Sequence, residues 1–437
     1  MIWRFAATEA LSFSSPRLSD RPVQPSASGL TRSFRFSDKH RMKALCAALA
    51  LLTGWVTSAA NFSVRVESGA TAMSNVVVRV PAPADFPQMG MLSGVNEFLP
   101  FQKAGDGTVI FVLPQLAAQS TKRFTASNPP NGTSKQFANA DLDNGRITLS
   151  AGGKKIFVYQ GTESDLPRPD IKPQFKRGGY IHPVFSPSGK QITDDYPANH
   201  IHHHGIWFPW TKTSFEGREP DFWNMGEQKG KVEFAHFGNK WSGIVHAGLL
   251  AEHLFIDLTS GAPRPVLTET WTLTAYHLPS ANYFAFDLVS TQACASSSPL
   301  ILPKYYYGGL GIRGNWAWNG EKNCSFLTSN GETDRVKGNE TRGNWVHMGG
   351  LLDGQPTGIA VLSHPENFRS PQPMRLHPKE PFFCFAPSQV DDWKIEPGNP
   401  YVSKYRFIVS DGPPDKNVLD QLWQAYANPP KVVIEKL

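Results

Sequence analysis

Two kinds of apolar pattern run along this chain, and both belong to strands. Residues 62–66 and 76–80 place an apolar side chain at alternate or nearly every position, as a strand with one or both faces covered would. Residues 109–113 are apolar throughout, the mark of a strand buried on both faces. Residues 147–150 and 155–159 flank Ala151-Gly152-Gly153-Lys154, a spacing that predicts a hairpin. Further strands are predicted at 231–236, 266–276, 283–289, 358–362 and 405–409. The cleanest alternation is 266–276, which turns towards 283–289 through residues 278–282. Only one stretch has helical spacing. Val418, Leu419, Leu422 and Tyr426 form its stripe, Pro413-Pro414-Asp415 starts it, and Asn428-Pro429-Pro430 stops it. Residues 125–137, rich in Pro, Asn, Ser and Thr, read as an exposed loop. The expected fold is mostly β. It is a large antiparallel β-sandwich over 161–437, with a small β module at 61–160 and a short C-terminal helix.

The first 60 residues follow a different pattern. Residues 1–41 are rich in Ser and Arg without periodicity. Arg41-Met42-Lys43 then precedes an apolar run over 44–52, and Ser58-Ala59-Ala60 closes it. A charged start, a short apolar stretch and a small-residue end predict a secretory signal peptide at 42–60. Residues 1–41 then read as an upstream start or leader. An organellar transit peptide is the competing reading, but such leaders lack a compact apolar stretch. The expected location is periplasmic or secreted.

Composition supports a turn-rich β protein, with 37 Gly, 36 Pro, 12% aromatic and only 18% charged residues. The net charge of +6 comes mostly from the leader, because residues 1–60 hold 8 of the 43 Lys and Arg but only 3 of the 37 Asp and Glu. The nearly neutral remainder gives no reason to expect nucleic acid as a partner. No later run reaches the roughly 18–20 apolar residues of a membrane span. Past the leader, Cys294, Cys324 and Cys384 allow at most one disulfide and leave a thiol over.

The most unusual chemistry lies in His200-Ile201-His202-His203-His204-Gly205, which holds four of the thirteen histidines. Pro197 before it and Gly205 after it suggest a strand end or a tight loop. As a strand, it would turn His200, His202 and His204 to one face and His203 to the other. Three imidazoles on one face suit a divalent metal such as zinc, copper or iron, and neutral imidazoles equally suit proton transfer. Asp194 and Asp195 are close enough in sequence to orient them. His182 precedes a proline and either joins the site or packs. His364, Asn367 and Arg369 form a polar trio between prolines, suited to capturing a carboxylate or hydroxyls or to clamping a loop. Glu269 shares a strand face with Trp271 and Leu273, and solvent exposure is the expectation for it. Lys304 and Arg313 are possible charge partners for an acidic sugar, and Trp207, Trp210, Trp223, Trp316 and Trp318 supply faces for stacking on sugar rings.

The run from Tyr180-Ile181-His182-Pro183 to Gly189, then Thr193–Pro197 and His200–Gly205, together with His364-Pro365-Glu366-Asn367-Phe368-Arg369-Ser370-Pro371, resembles the PmoA-like family of secreted bacterial proteins. The resemblance spans roughly residues 60–430. That family's name, methane oxygenase, implies a membrane copper enzyme subunit. The leader and the lack of an apolar span argue against taking the name literally. The segment from Glu269 to Asn282 also resembles a strand of galactose-mutarotase-like supersandwich proteins, which use histidines and a carboxylate for acid/base work on sugars. Fold likeness of this kind does not carry function.

These readings converge on a secreted carbohydrate-active protein with acid/base chemistry on a glycoside: hydrolysis, elimination or epimerisation. His182, His202, His204, His364, Asn367 and Arg369 are the expected catalytic residues, and His200, His202 and His204 the expected metal ligands. The alternatives are a copper or iron oxygenase and a non-catalytic glycan-binding module.

Overall fold

The computed structural model describes residues 62–128, 136–163, 165–278 and 281–437. The leader expected at 1–41 and the signal peptide at 42–60 lie outside the described residues, as do residues 129–135 of the expected loop. The protein is mostly β, with several antiparallel sheets, a small N-terminal β region and a short C-terminal helix.

Two large sheets face each other. One has eight strands, in the order Gly230–Trp241, His246–Asp257, Arg264–Tyr276, Tyr283–Cys294, Tyr401–Asp411, Gln355–Ser363, Trp345–Leu352 and Cys324–Thr328. The other has nine, in the order Arg342–Gly343, Gln372–Leu376, Phe382–Phe385, Gly311–Arg313, Ile206–Trp207, Tyr180–Val184, Lys154–Gln160, Arg146–Ala151 and Ala138–Asp143. A single apolar core joins them, drawing Ile206, Ile312, Phe383 and Phe385 from the nine-stranded sheet and Trp271, Leu273, Phe286 and Phe407 from the eight-stranded one. Each such side chain, fully buried, contributes roughly 1.5–3 kcal/mol. Strand alternation sends the neighbouring residues Trp207, Phe382 and Cys384 to the opposite face. There they form a second, smaller cluster with Tyr180 and Trp223.

A third sheet of seven strands is built from residues 62–127 and closed by the C-terminal strand Lys431–Lys436, which pairs with Phe62–Glu67. The expected boundary at 160 therefore shifts. Strands Ala138–Asp143, Arg146–Ala151 and Lys154–Gln160 belong to the nine-stranded sheet, so the small module ends near Ser127. Alternation reports which residues share a face, not which strand lies alongside, and this is why the pattern misplaced the border. The hairpin across Gly152-Gly153 is present, with Ala151 opposite Lys154.

The helix Lys416–Ala427 forms as its spacing predicts. Asp415 caps it, accepting from the backbone of Asn417 and Val418. Leu419 and Leu422 bury its apolar face against Trp345, Leu362 and Ile408. Cys294, Cys324 and Cys384 are all free thiols, so no pair forms among them.

Candidate functional site

The histidine segment is not a strand. Backbone bonds from His200 N to Pro197 O (2.9 Å) and from His203 N to His200 O (2.8 Å) fold it into successive turns, and Tyr196 N to His203 O (3.1 Å) closes them. Tyr196 sits at a positive φ of 49° to start the reversal. Gly205 ends it where the chain passes so close to the neighbouring strand that a Cβ would lie 2.3 Å from Ile181 O. Arg313 braces the turns from below. Its backbone N bonds Gly205 O (2.8 Å), and its fully buried guanidinium reaches Asn199 Oδ1 (3.1 Å), Asn319 Oδ1 (2.6 Å) and Glu380 Oε2 (3.3 Å).

This turn geometry corrects the expected division of the histidines. His200, His202 and His203 line one cavity of about 250 Å³, with Trp223, Asn224, Tyr306, Tyr307, Arg375, His377 and Phe382 as its remaining wall. His203, expected on the opposite face, has its ring centroid 4.7 Å from that of His200 and 4.8 Å from that of His202. His204, expected beside them, turns away. It is fully buried, packs against Tyr180 and Tyr196, and its Nδ1 donates to Asp195 Oδ1 at 2.6 Å. The proposed ligand set of His200, His202 and His204 is therefore not assembled. Among the described residues no group of three or more His, Cys, Asp or Glu is arranged to hold a metal ion.

The cavity lies on the face of the nine-stranded sheet away from the main core, over Trp207 and Phe382. Arg375 comes from strand Gln372–Leu376, His377 follows it directly, and Phe382 begins the strand it pairs with. A volume of about 250 Å³, just under the roughly 300–1,000 Å³ of sites for drug-sized molecules, suits a small ligand.

Every histidine here is held neutral near pH 7. Burial pushes His202 and His377 down to about 4, helped at His202 by the neighbouring imidazoles and at His377 by Arg375. Burial likewise lowers His200 and, more strongly, His203, where His202 and His200 add repulsion. The tautomer of His377 is fixed as well. Its Nδ1 accepts from the backbone N–H of Glu380 (2.9 Å) and of Lys379 (3.3 Å), so the neutral ring carries its proton on Nε2. The Nδ1 atoms of His200 and His203 are buried without a hydrogen-bond partner.

Behind the cavity, Asp195 orients His204 and also accepts from the Tyr180 hydroxyl (2.8 Å). Its contact to His204 matches the orienting role expected for Asp194 or Asp195. His182 belongs to this supporting layer, with Nδ1 3.0 Å from Thr193 Oγ1, and does not line the cavity.

His364, Asn367 and Arg369 are not brought to the cavity. Arg369 donates to the backbone carbonyls of Pro387 (2.7 Å), Asp391 (2.8 Å) and Asp392 (3.3 Å). Asn367 exchanges bonds with the backbone of Lys404 at 2.8 and 2.7 Å, and His364 packs edge-on against Tyr426. Arg369 and Asn367 clamp a loop, with most of their hydrogen bonds going to main chain. Arg313 and Lys304 do not line the cavity either. Trp207, Trp210 and Trp318 are core, Trp223 forms part of the cavity wall, and Trp316 is half exposed.

Glu269 departs furthest from expectation. It is buried, not solvent-facing, and lies level with His253 on one neighbouring strand and Gln292 on the other. It accepts from His253 Nδ1 (2.8 Å), Ser290 Oγ (2.6 Å) and Gln292 Nε2 (2.9 Å). Burial alone would raise its pKa, but these donors outweigh burial and hold the carboxyl below its ordinary value.

Sequence reasoning missed Arg375, His377 and the Tyr306–Tyr307 pair. Arg375 sits in an ordinary strand and His377 stands alone before a proline, so neither carries a local signal. Three successive tyrosines at 305–307 were the one visible cue.

The family model described as a family of unknown function, DUF6807, matches residues 146–424. No curated protein matches the chain. Among solved structures, an alpha-mannosidase from Enterococcus faecalis V583 is similar at 14% identity and a TM-score of 0.40, over 90% of this chain and 48% of that one. A glycosyl hydrolase family 38 protein from Enterococcus faecalis is similar at 11% identity and a TM-score of 0.38, over 92% of this chain and 50% of that one. The chain spans about half the length of these two proteins. A likeness of this degree leaves the site to be argued from its own residues.

Proposed function

The chain belongs to that family of unknown function, and we propose that it is a carbohydrate-active protein whose histidine cavity binds a single sugar unit and moves protons on it. One observation carries the reading. Four neutral imidazoles, His200, His202, His203 and His377, converge on a small cavity walled by Trp223, Tyr306, Tyr307 and Phe382. Aromatic walls pack on the C–H faces of a sugar ring. Neutral imidazoles each offer one donor and one acceptor, which matches a ring of hydroxyls. They also form an acid/base set. One ring accepts a proton through an open nitrogen while His377 offers its Nε2–H.

Among the described residues no carboxylate lines the cavity, whereas glycoside hydrolysis ordinarily uses a pair of them. This favours elimination or epimerisation over hydrolysis. The reading also includes action outside the cytoplasm, as the leader suggests, and kinship with the PmoA-like family through the 180–205 and 364–371 segments.

The test is a panel of sugars and glycans, followed by isothermal calorimetry and product analysis, on the protein from residue 61 onward. His202→Ala and His377→Ala should abolish turnover while leaving the thermal midpoint close to that of the parent. Turnover that survives both substitutions would sink the proposal. Binding without turnover, unaffected by either, would leave a glycan-binding module whose site lies elsewhere.

A further inference from the structure

The cavity has a charge that the acid/base reading does not use. Arg375 is a wall residue, and no carboxylate pairs with it among the described residues. Its Nη1 is committed to Asn339 Oδ1 (3.0 Å) and Leu376 O (3.2 Å). Its guanidinium lies over the Tyr306 ring, 5.4 Å from the centroid. The side chain is thus held in one place, while among the described residues no hydrogen bond engages Nε or Nη2. The next acidic group along the loop, Glu380, is already engaged by Asn199 (2.6 Å) and Arg313 (3.3 Å). Both contacts are made through Oε2, and Glu380 does not line the cavity.

The adjoining cavity differs in its charge. It shares Asn224 with the histidine cavity, and there Glu219, Asp221 and Glu227 face Lys212 and Lys229. Carboxylates outnumber cations by one on that side, whereas Arg375 is the one charged residue lining the histidine side among the described residues. Beside Arg375 comes His377, whose fixed tautomer presents Nε2–H and no acceptor at that atom. A guanidinium and an imidazole N–H adjacent on one wall make a donor pair for two oxygens of one anionic group. Such a pair rewards a carboxylate far more than a hydroxyl, because hydrogen bonds to a charged group are about twice as strong as neutral ones.

We propose that the ligand of this cavity is a sugar acid, a uronate. Arg375 and His377 take its carboxylate, and the remaining hydroxyls meet His200, His202 and His203 against the aromatic wall. This rests on the reading of the cavity as a sugar site and adds the class of sugar.

The experiment compares four probes by isothermal calorimetry on the protein from residue 61 onward: glucuronate, galacturonate, glucose and galactose. At least one uronate should bind about tenfold or more tighter than its neutral counterpart, the size expected of one charge-assisted contact. In Arg375→Gln that preference should vanish, with uronate affinity falling to the level of the neutral sugar. Arg375→Lys keeps the charge and should retain part of the preference, which separates loss of the cation from loss of the fold. Equal binding of uronate and neutral sugar by the parent, unchanged in Arg375→Gln, would overturn the uronate assignment and leave the sugar cavity standing. Binding of none of the four probes would overturn both.

Discussion

Replacing Glu269 by Leu tests the interior of the sandwich at a fully buried carboxylate. The carboxylate is buried and holds three donors: the His253 ring N–H, the Ser290 hydroxyl and the Gln292 amide. The network continues to Tyr159, whose hydroxyl is 2.5 Å from His253 Nε2, and to Trp210, whose Nε1 donates to Gln292 Oε1 at 2.7 Å. Leucine would leave three buried donors with no acceptor, at about 1–3 kcal/mol each before relaxation. A loss of about 3–5 kcal/mol is expected, against a total stability on the order of 5–15 kcal/mol. Urea unfolding followed by tryptophan fluorescence reads it directly. A fall of less than about 1 kcal/mol, the size of an ordinary surface change, would refute the network. The linkage has a definite sign. The folded carboxyl titrates below its ordinary value of 4.5, so the contribution is complete above that pH and lost as pH falls through the folded value. Glu269→Gln should flatten that acid loss.

The half-buried histidines of the cavity give a second acid dependence. His202 and His377 titrate near 4 when folded, against 6.5 for the free group. The unfolded chain therefore binds more protons between those values. Stability should be full above pH 6.5 and fall steadily towards pH 4, and a urea midpoint constant from pH 7 to pH 5 would contradict the burial. Arg369→Ala removes three bonds to main-chain carbonyls and should cost roughly 1–2 kcal/mol. Sugar affinity should be unchanged, and a loss of binding without a loss of stability would restore Arg369 to the site. Gly205→Ala drives a methyl to within 2.3 Å of Ile181 O. It should displace the histidine turns and weaken ligand binding more than His182→Ala does, as calorimetry would show.

Much of the fold was visible in the alternation, because strands buried on one face must alternate. Residues 266–276 became the strand Arg264–Tyr276 inside the eight-stranded sheet, and the capped helix matched its spacing closely. The missed strand His246–Asp257 explains the error at Glu269. A carboxylate on a buried face is ordinarily too costly, so solvent was the sensible expectation. The compensating partners, His253 and Gln292, come from the two flanking strands, and register cannot be read from one strand alone. The site was half visible. A cluster of four histidines marked the place as a strand end or a tight loop, but its faces were assigned by strand alternation, and the turns exchanged the roles of His203 and His204. Arg375 and His377 lie some 170 residues further on in sequence and reach the site only through sheet pairing. The 364–369 trio looked equally chemical, yet Arg369 and Asn367 bond mostly to backbone, which only tertiary contacts reveal.

The central claim is that one small cavity, and not another part of the molecule, holds the sugar. Histidine ring resonances, assigned by single substitutions and followed while glucuronate or glucose is added, locate it most directly. His200, His202, His203 and His377 should shift together with a single dissociation constant, while His246 and His347, buried elsewhere, stay still. Saturable shifts at His347 with the four cavity histidines unmoved would contradict the account.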